Sequence, residues 1–348
     1  MNKGKDTRRE IREQPSIWQT TLSNNEKRLK KLNLDFASFG QAIFFGAGSS
    51  YYLGLSASTV FQKLTGMDAK ALPSSELIDF PEAHLAEGKE KRKLVVGISR
   101  SGETTETVRA TRNLTESSYS MESLAVSCYP NSPLVEEANQ SVVVEAAQEE
   151  SVVMTQSFSS MLLTIYQIAV KLQGEEKDLS QLSELGEEAV SKSRRAVGEI
   201  LKGDYDHFVF LGSGPNYGIA CESMLKMKET ALEATEAFHA LEYRHGPKSV
   251  ASNHSLVTFY LTNNGRNHER ELIKEVNDLG AHSVVLGSNL SMETEEVARF
   301  SVNLDTDLDQ YFQGVLFIPF AQQLGLQVAL TKNLDPDEPR NLSQVVRL

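Results

Sequence analysis

Cysteine is scarce in this chain: two residues in 348, Cys128 and Cys221, far apart in sequence. That excludes a disulfide framework and a cysteine-based zinc site, and it suits a reducing compartment. Positive charge is also short. Thirty-five Lys and Arg stand against 47 Asp and Glu, a formal net charge of −12. This balance argues against general binding along a nucleic-acid backbone. It leaves room for a local anion site, because helix N-termini attract anions whatever the net charge. Long apolar runs are missing as well. "MLLTIYQIAVKL" (Met161–Leu172) is the longest apolar helix candidate, too short to span a bilayer. The N-terminal "MNKGKDTRREIREQPSIW" has no apolar signal-peptide core. The expectation is a soluble, cytoplasmic protein that binds neither nucleic acid nor membrane.

The length is natural for two domains, and 40% hydrophobic residues are ordinary for a globular chain. Residues 1 to about 35 read as a charged helix with Trp18 and Leu22 as docking points. An apolar strand, Ala42–Phe45, then runs into Gly46-Ala47-Gly48-Ser49-Ser50, and Tyr52–Leu64 has helical apolar spacing. "AKALPSS", "KLVVGIS", "SLAVSCYP" and "SVVVEAA" read as further strands, with a helix at Thr105–Leu114 and a long one at Thr155–Leu172. Strands alternating with helices at these lengths predict an α/β fold, a parallel sheet with helices on both faces. A charged stretch after Leu172 reads as a connecting helical hairpin. The pattern then restarts: "HFVFLGSGPNYGIACESMLKMKE" mirrors "AIFFGAGSSYYLGLSASTVFQKL". A repeat at half the chain length predicts two copies of one α/β domain, and pseudo-symmetric halves commonly hold a ligand between them.

Two regions carry candidate chemistry. The first Gly-x-Gly turn lacks the third glycine of a dinucleotide fingerprint, its place taken by Tyr51, and no acidic residue ends the next strand, so a Rossmann cofactor site is disfavoured. In "ISRSGETTET", by contrast, Ser99, Ser101, Thr104 and Thr105 put four hydroxyls in seven residues at the end of a predicted parallel strand. Helix capping by Ser101 or Thr104 would explain one of them. Four at the carboxyl edge of a sheet, where ligands bind, point to a phosphate cradle made with free N–H groups, and Gly102 lets the backbone close around the anion. In "ESMLKMKETALEATEAFHALEYRHGP", Lys226 and Glu229 share a helix face. His245 sits in "EYRHGP", its backbone set by Gly246-Pro247. A surface ion pair would explain the first two alone. A carboxylate and a histidine together are what sugar isomerisation needs, one to open the ring and one to move a proton between neighbouring carbons. His84, His254 and His268 read as surface residues.

"FFGAGSSYY", "ISRSGETTET", "LKMKE…LEYRHGP" and the ending "LDPDEPRNLSQVVRL" together resemble the double sugar-isomerase (SIS) domain proteins. Among these are the isomerase half of glucosamine-6-phosphate synthase, amino-sugar-phosphate deaminases, tagatose-6-phosphate ketose/aldose isomerases and fructosamine-6-phosphate deglycases. The resemblance runs from about residue 10 to the C-terminus. It implies two tandem SIS domains, each a three-layer α/β/α sandwich of flavodoxin-like type. The expected division is an N-terminal helical segment over 1–35, a first domain over 36–175, a helical connector over 176–200, a second domain over 201–334, and a tail over 335–348 that closes the active site.

Carried over residue by residue, the resemblance implies that Ser99, Arg100, Ser101 and Thr104 bind phosphate. Ser50 matches the serine of the first Gly-rich turn. Val152 and Val153 would touch the sugar through backbone groups. Glu229 matches the acid that shuttles the proton between C1 and C2, Lys226 a lysine beside it, and His245 the ring-opening histidine supplied by a partner subunit. Two positions depart from the synthase: Met154 stands for a serine near the sugar, which implies different hydroxyl recognition, and Gln344 stands for a tail lysine. Glutamine can neither act as an acid nor form a Schiff base. No glutamine-hydrolysing domain is expected, nor any cofactor or metal. The implied protein is a homodimer with its site shared between subunits, acting on a phosphorylated hexose or amino-hexose as an aldose/ketose isomerase or a glucosamine-6-phosphate deaminase. Fructosamine-6-phosphate deglycation is the alternative within the class. A non-catalytic sugar-phosphate-binding regulator is the alternative outside it.

Overall fold

The computed structural model describes residues 3–85, 92–174 and 177–345. The chain divides into two compact units. One holds Ser16–Glu150, Met154–Gln181 and the residues from Ser343 onward; the other holds Leu182–Leu342, Ser151–Val153 and the residues up to Pro15. Each is built on one parallel sheet of five strands.

In the first unit the strands are β1 (Phe39–Gly46), β2 (Asp68–Pro73), β3 (Arg92–Ile98), β4 (Met121–Ser127) and β5 (Gln140–Val143). They lie in the order β2-β1-β3-β4-β5, all neighbours parallel. β3 is central, and its Leu94, Val95, Val96 and Ile98 are buried, the apolar run expected of a strand covered on both faces. Burying each such side chain contributes about 1.5–3 kcal/mol. The helix Thr105–Thr115 packs Ala110 and Leu114, four residues apart, onto Ile43, Phe45 and Val95 of the sheet. The predicted second strand is shorter than read: Pro73 ends it, and Ser74 opens a helix to Asp79. The fifth also stops early, at Val143, before a helical turn at Glu145–Ala147. Trp18 does dock, fully buried, with its indole N–H donating to Ser159 Oγ at 2.8 Å.

In the second unit the strands are β6 (His207–Gly212), β7 (Thr235–His239), β8 (Ser255–Tyr260), β9 (His282–Ser288) and β10 (Phe300–Leu304). Their order, β10-β9-β8-β6-β7, reproduces the first sheet read from its other edge. The charged stretch expected as a hairpin is a single helix over Gln181–Ile200. A more apolar helix than Met161–Leu172 closes this unit: Gly314–Thr331 is long and apolar enough to cross a membrane by composition, yet 83% of it is buried inside the fold. Both cysteines are buried and unpaired.

Candidate functional site

The first-unit residues gather where β1 and β3 end side by side, with Phe45 paired to Gly97. After β1 the chain turns at Gly46, where a Cβ would come within 2.7 Å of the Ser50 Cβ and 3.0 Å of the Ile98 carbonyl oxygen. Only glycine allows that approach, and it sets the buried Ser50 at the start of the helix Ser49–Thr65, beside the end of β3. After β3 comes the hydroxyl loop. Ser99 Oγ lies 3.1 Å from Thr104 Oγ1 and accepts the Gly102 N–H at 3.1 Å; Ser101 Oγ accepts the Glu103 N–H at 3.1 Å. Thr104 is the N-cap of the helix Thr105–Thr115, but its side chain makes no capping bond. The capping explanation therefore does not account for it. Gly102 adopts a left-handed φ of 67° and lies so close to Ser132 that a Cβ would meet its Oγ at 2.0 Å. The loop is braced from below: Cys128 N–H donates to the Arg100 carbonyl at 3.0 Å and Leu134 N–H to the Gly102 carbonyl at 2.9 Å.

Arg100 is engaged differently from its hydroxyl neighbours. Its Nη1 pairs with Glu149 Oε1 at 2.9 Å, and its Nη2 donates to the Gln344 carbonyl at 2.9 Å. Gln344 in turn donates through Nε2 to the carbonyls of Glu149 and Glu150, both at 3.4 Å. Met154, in the same unit, is 9% exposed. Val152 is half-buried and Val153 buried; they belong to the second unit, where the Ser151 hydroxyl donates to the Val153 carbonyl at 2.9 Å.

In the second unit, the helix Asn216–Ala231 carries the candidate acid. Asn216 pins its start by donating to the Tyr260 and Leu261 carbonyls at 3.2 Å. Gly325 of the helix Gly314–Thr331 lies close to its other end, where a Cβ would sit 2.5 Å from Thr230 Oγ1 and 3.4 Å from the Lys226 carbonyl oxygen. This close packing buries Lys226 to 1% exposure. Its Nζ pairs with Glu229 Oε2 at 2.6 Å and with Glu222 Oε1 at 3.2 Å. Burial works against charge on this ammonium, but Glu222 and Glu229 outweigh it and hold its pKa above the ordinary lysine value. The Glu229 side chain keeps 20% exposure while that of Glu222 has none. One carboxylate is thus sealed and the other is presented on a fixed cation. Lys226 and Glu229 are brought together as their spacing predicts. His245 is exposed, ahead of Gly246 with its φ of 126°, and no hydrogen bond or ion pair among the described residues joins it to Glu229. His254 and His268 are exposed as read, whereas His84 is partly buried with Nε2 3.2 Å from Glu76 Oε2.

Two residues escaped the sequence reading. Glu222 was within reach, since it stands four before Lys226 on the same helix face. Glu149 gave no local signal, because its partner Arg100 is 49 residues away. Among the described residues, no group of three or more His, Cys, Asp or Glu side chains is placed to hold a metal ion.

Comparison with known proteins identifies the fold and the family. The SIS domain family matches residues 35–171. The crystal structure of a glucosamine-6-phosphate deaminase from Thermotoga maritima superposes with a TM-score of 0.83 at 30% identity, over 99% of this chain and 100% of that one. A tagatose-6-phosphate ketose/aldose isomerase from Escherichia coli shares the fold, with a TM-score of 0.86 at 22% identity over 96% and 95% of the two chains. The isomerizing glutamine–fructose-6-phosphate aminotransferase of Methanothermobacter thermautotrophicus is 27% identical over 344 residues, 97% of this chain but 56% of that protein's length. The chain therefore belongs to the sugar-isomerase (SIS) domain family, with two α/β units in tandem.

Proposed function

We propose that this chain is a phosphosugar isomerase or deaminase acting on a hexose or 2-amino-hexose 6-phosphate. The observation that carries the reading is the Glu229 carboxylate, part-exposed and held at 2.6 Å by a buried, charged lysine. An isolated surface acid would be free to swing. This one is held by Lys226, and that suits a group that must take and return a proton. The phosphoester docks on the hydroxyls of Ser99, Ser101 and Thr104 and on the N–H groups that open the helix Thr105–Thr115, with Ser50 at the adjoining turn. Val152, Val153 and Met154 line the sugar, and the tail from residue 335 closes over it. His245 opens the ring by proton transfer, and its exposure supports a role across the interface of a cytosolic homodimer.

Glu229 then removes the proton from C2 of the open-chain aldehyde, giving an enediol, or an enolamine when C2 bears an amine. Returning that proton to C1 yields a ketone or a ketimine. Water adds to the ketimine carbon and ammonia leaves, so isomerisation and deamination differ by one hydrolysis. The 30% identity to a glucosamine-6-phosphate deaminase favours the amine-bearing substrate. A panel of amino- and keto-hexose 6-phosphates, assayed for both ammonia and product sugar, tests this. Ammonia and ketose 6-phosphate released in equal amounts are expected; binding of every sugar phosphate without turnover overturns the enzymatic reading in favour of a sensor.

A further inference from the structure

The Glu149 carboxylate is fully buried and binds two other stretches of chain. Oε1 accepts from Arg100 Nη1 at 2.9 Å and from Ser157 Oγ at 2.6 Å. Oε2 accepts from the Thr155 N–H at 3.0 Å, the Thr155 hydroxyl at 2.9 Å and the Ser157 N–H at 3.1 Å. The two N–H bonds cap the helix Gln156–Gln173, whose N-cap residue Thr155 makes no capping bond of its own. The one cation in the hydroxyl loop is thereby neutralised from behind, and its second nitrogen is turned to the Gln344 carbonyl of the tail.

Where the resemblance implies that Arg100 binds phosphate, we propose instead that Glu149 is a positioning residue that keeps Arg100 on the tail and off the phosphate. The phosphate is then held by hydroxyls and N–H groups alone, while the guanidinium serves as the latch for the segment around Gln344. A buried Arg–carboxylate pair is costly to break on one side only, so the latch is stable. Without Glu149 the guanidinium would be uncompensated beside the loop and would turn to a phosphate dianion, which attracts it more strongly than a neutral carbonyl does. Tight phosphate binding with an open tail would follow. This inference rests on the assignment of the Ser99–Thr104 loop to phosphate.

The test is Glu149→Gln in the full chain. The amide oxygen is directed to the Thr155 and Ser157 N–H groups, which leaves the amide NH2 facing Arg100 and the Ser157 hydroxyl; the arginine bond is severed, while the Ser157 oxygen can turn from donor to acceptor. Inorganic phosphate, titrated calorimetrically, is expected to bind threefold or more tightly than to the wild type. Trypsin is expected to cut after Arg340 at least fivefold faster, and kcat to fall tenfold or more. A purely structural role would weaken phosphate binding rather than strengthen it. Unchanged phosphate affinity with an unchanged cleavage rate overturns the proposal. Phosphate affinity and cleavage are read without turnover, so an error in the proposed reaction leaves them informative. Should Glu149→Gln not fold, Arg100→Gln decides: faster cleavage with phosphate affinity retained is expected, and a tenfold loss of phosphate affinity overturns the assignment.

Discussion

The loops that follow β3 and β8 share a hydrogen-bond pattern and differ in glycine conformation and charge. In each, a hydroxyl residue three places before a glycine accepts that glycine's N–H at 3.1 Å: Ser99 for Gly102, and Thr262 for Gly265. Four residues beyond each glycine stands a glutamate in the first turn of a helix. There the two part. Glu269 folds back into its own loop, taking the Ser213 hydroxyl at 3.0 Å and the Thr262 N–H at 3.4 Å. Burial pushes its pKa up to about 7, against the Ser213 and Thr262 hydrogen bonds and the nearby Arg266, which pull it down. Glu106 makes no hydrogen bond to the first loop among the described residues. A repeated fold thus does not repeat a site. The second loop is already occupied by a carboxyl group from its own chain, and on that ground we propose phosphate for the first loop only.

The two loops should differ most at their glycines. Gly102→Ala forces a left-handed φ on an alanine and drives its Cβ into Ser132, so KM for a sugar phosphate should rise about 100-fold and stability fall by about 2–4 kcal/mol. Gly265→Ala meets only the far end of the Glu269 side chain, at 2.9 Å, with an ordinary φ of −87°. It should leave KM within about twofold and cost about 1 kcal/mol; steady-state kinetics and denaturant unfolding read both. A smaller effect follows from giving the first loop the charge of the second. Ser101→Asp should raise KM roughly 30-fold, about 2 kcal/mol of like-charge repulsion, whereas Asn264→Asp at the matching place should not change it. The smallest effect is in stability. Because the Glu269 pKa is raised, its favourable contribution is full below the ordinary carboxylate range and is lost as pH rises through about 7. Between pH 5 and 8 the wild type should therefore lose about 2 kcal/mol relative to Glu269→Gln, measured by unfolding across that range.

Much of this was readable from the chain because the signals are local. "KLVVGIS" is a buried strand by its apolar run, and "SRSGETT" stands at its end by the glycine that follows. Lys226 and Glu229 meet because three residues on a helix is one face. What the sequence could not show depends on distant packing. The Arg100–Glu149 pair closes over 49 residues, and the burial of Lys226 and Glu222 needs the helix Gly314–Thr331 against theirs. Nothing in the local sequence marks Glu269, since its burial depends on the folded loop. Two strands end earlier than their apolar letters suggest, because Pro73 and the turn at Glu145–Ala147 stop the ladder.

In the proposed function the first loop binds the phosphate while Glu229 moves the proton. Glu229→Gln, given a 2-amino-hexose 6-phosphate, separates the two. Binding within about threefold of the wild type is expected, with turnover reduced at least about 1,000-fold and neither ammonia nor ketose 6-phosphate accumulating. Turnover near the wild-type rate in that variant would contradict it.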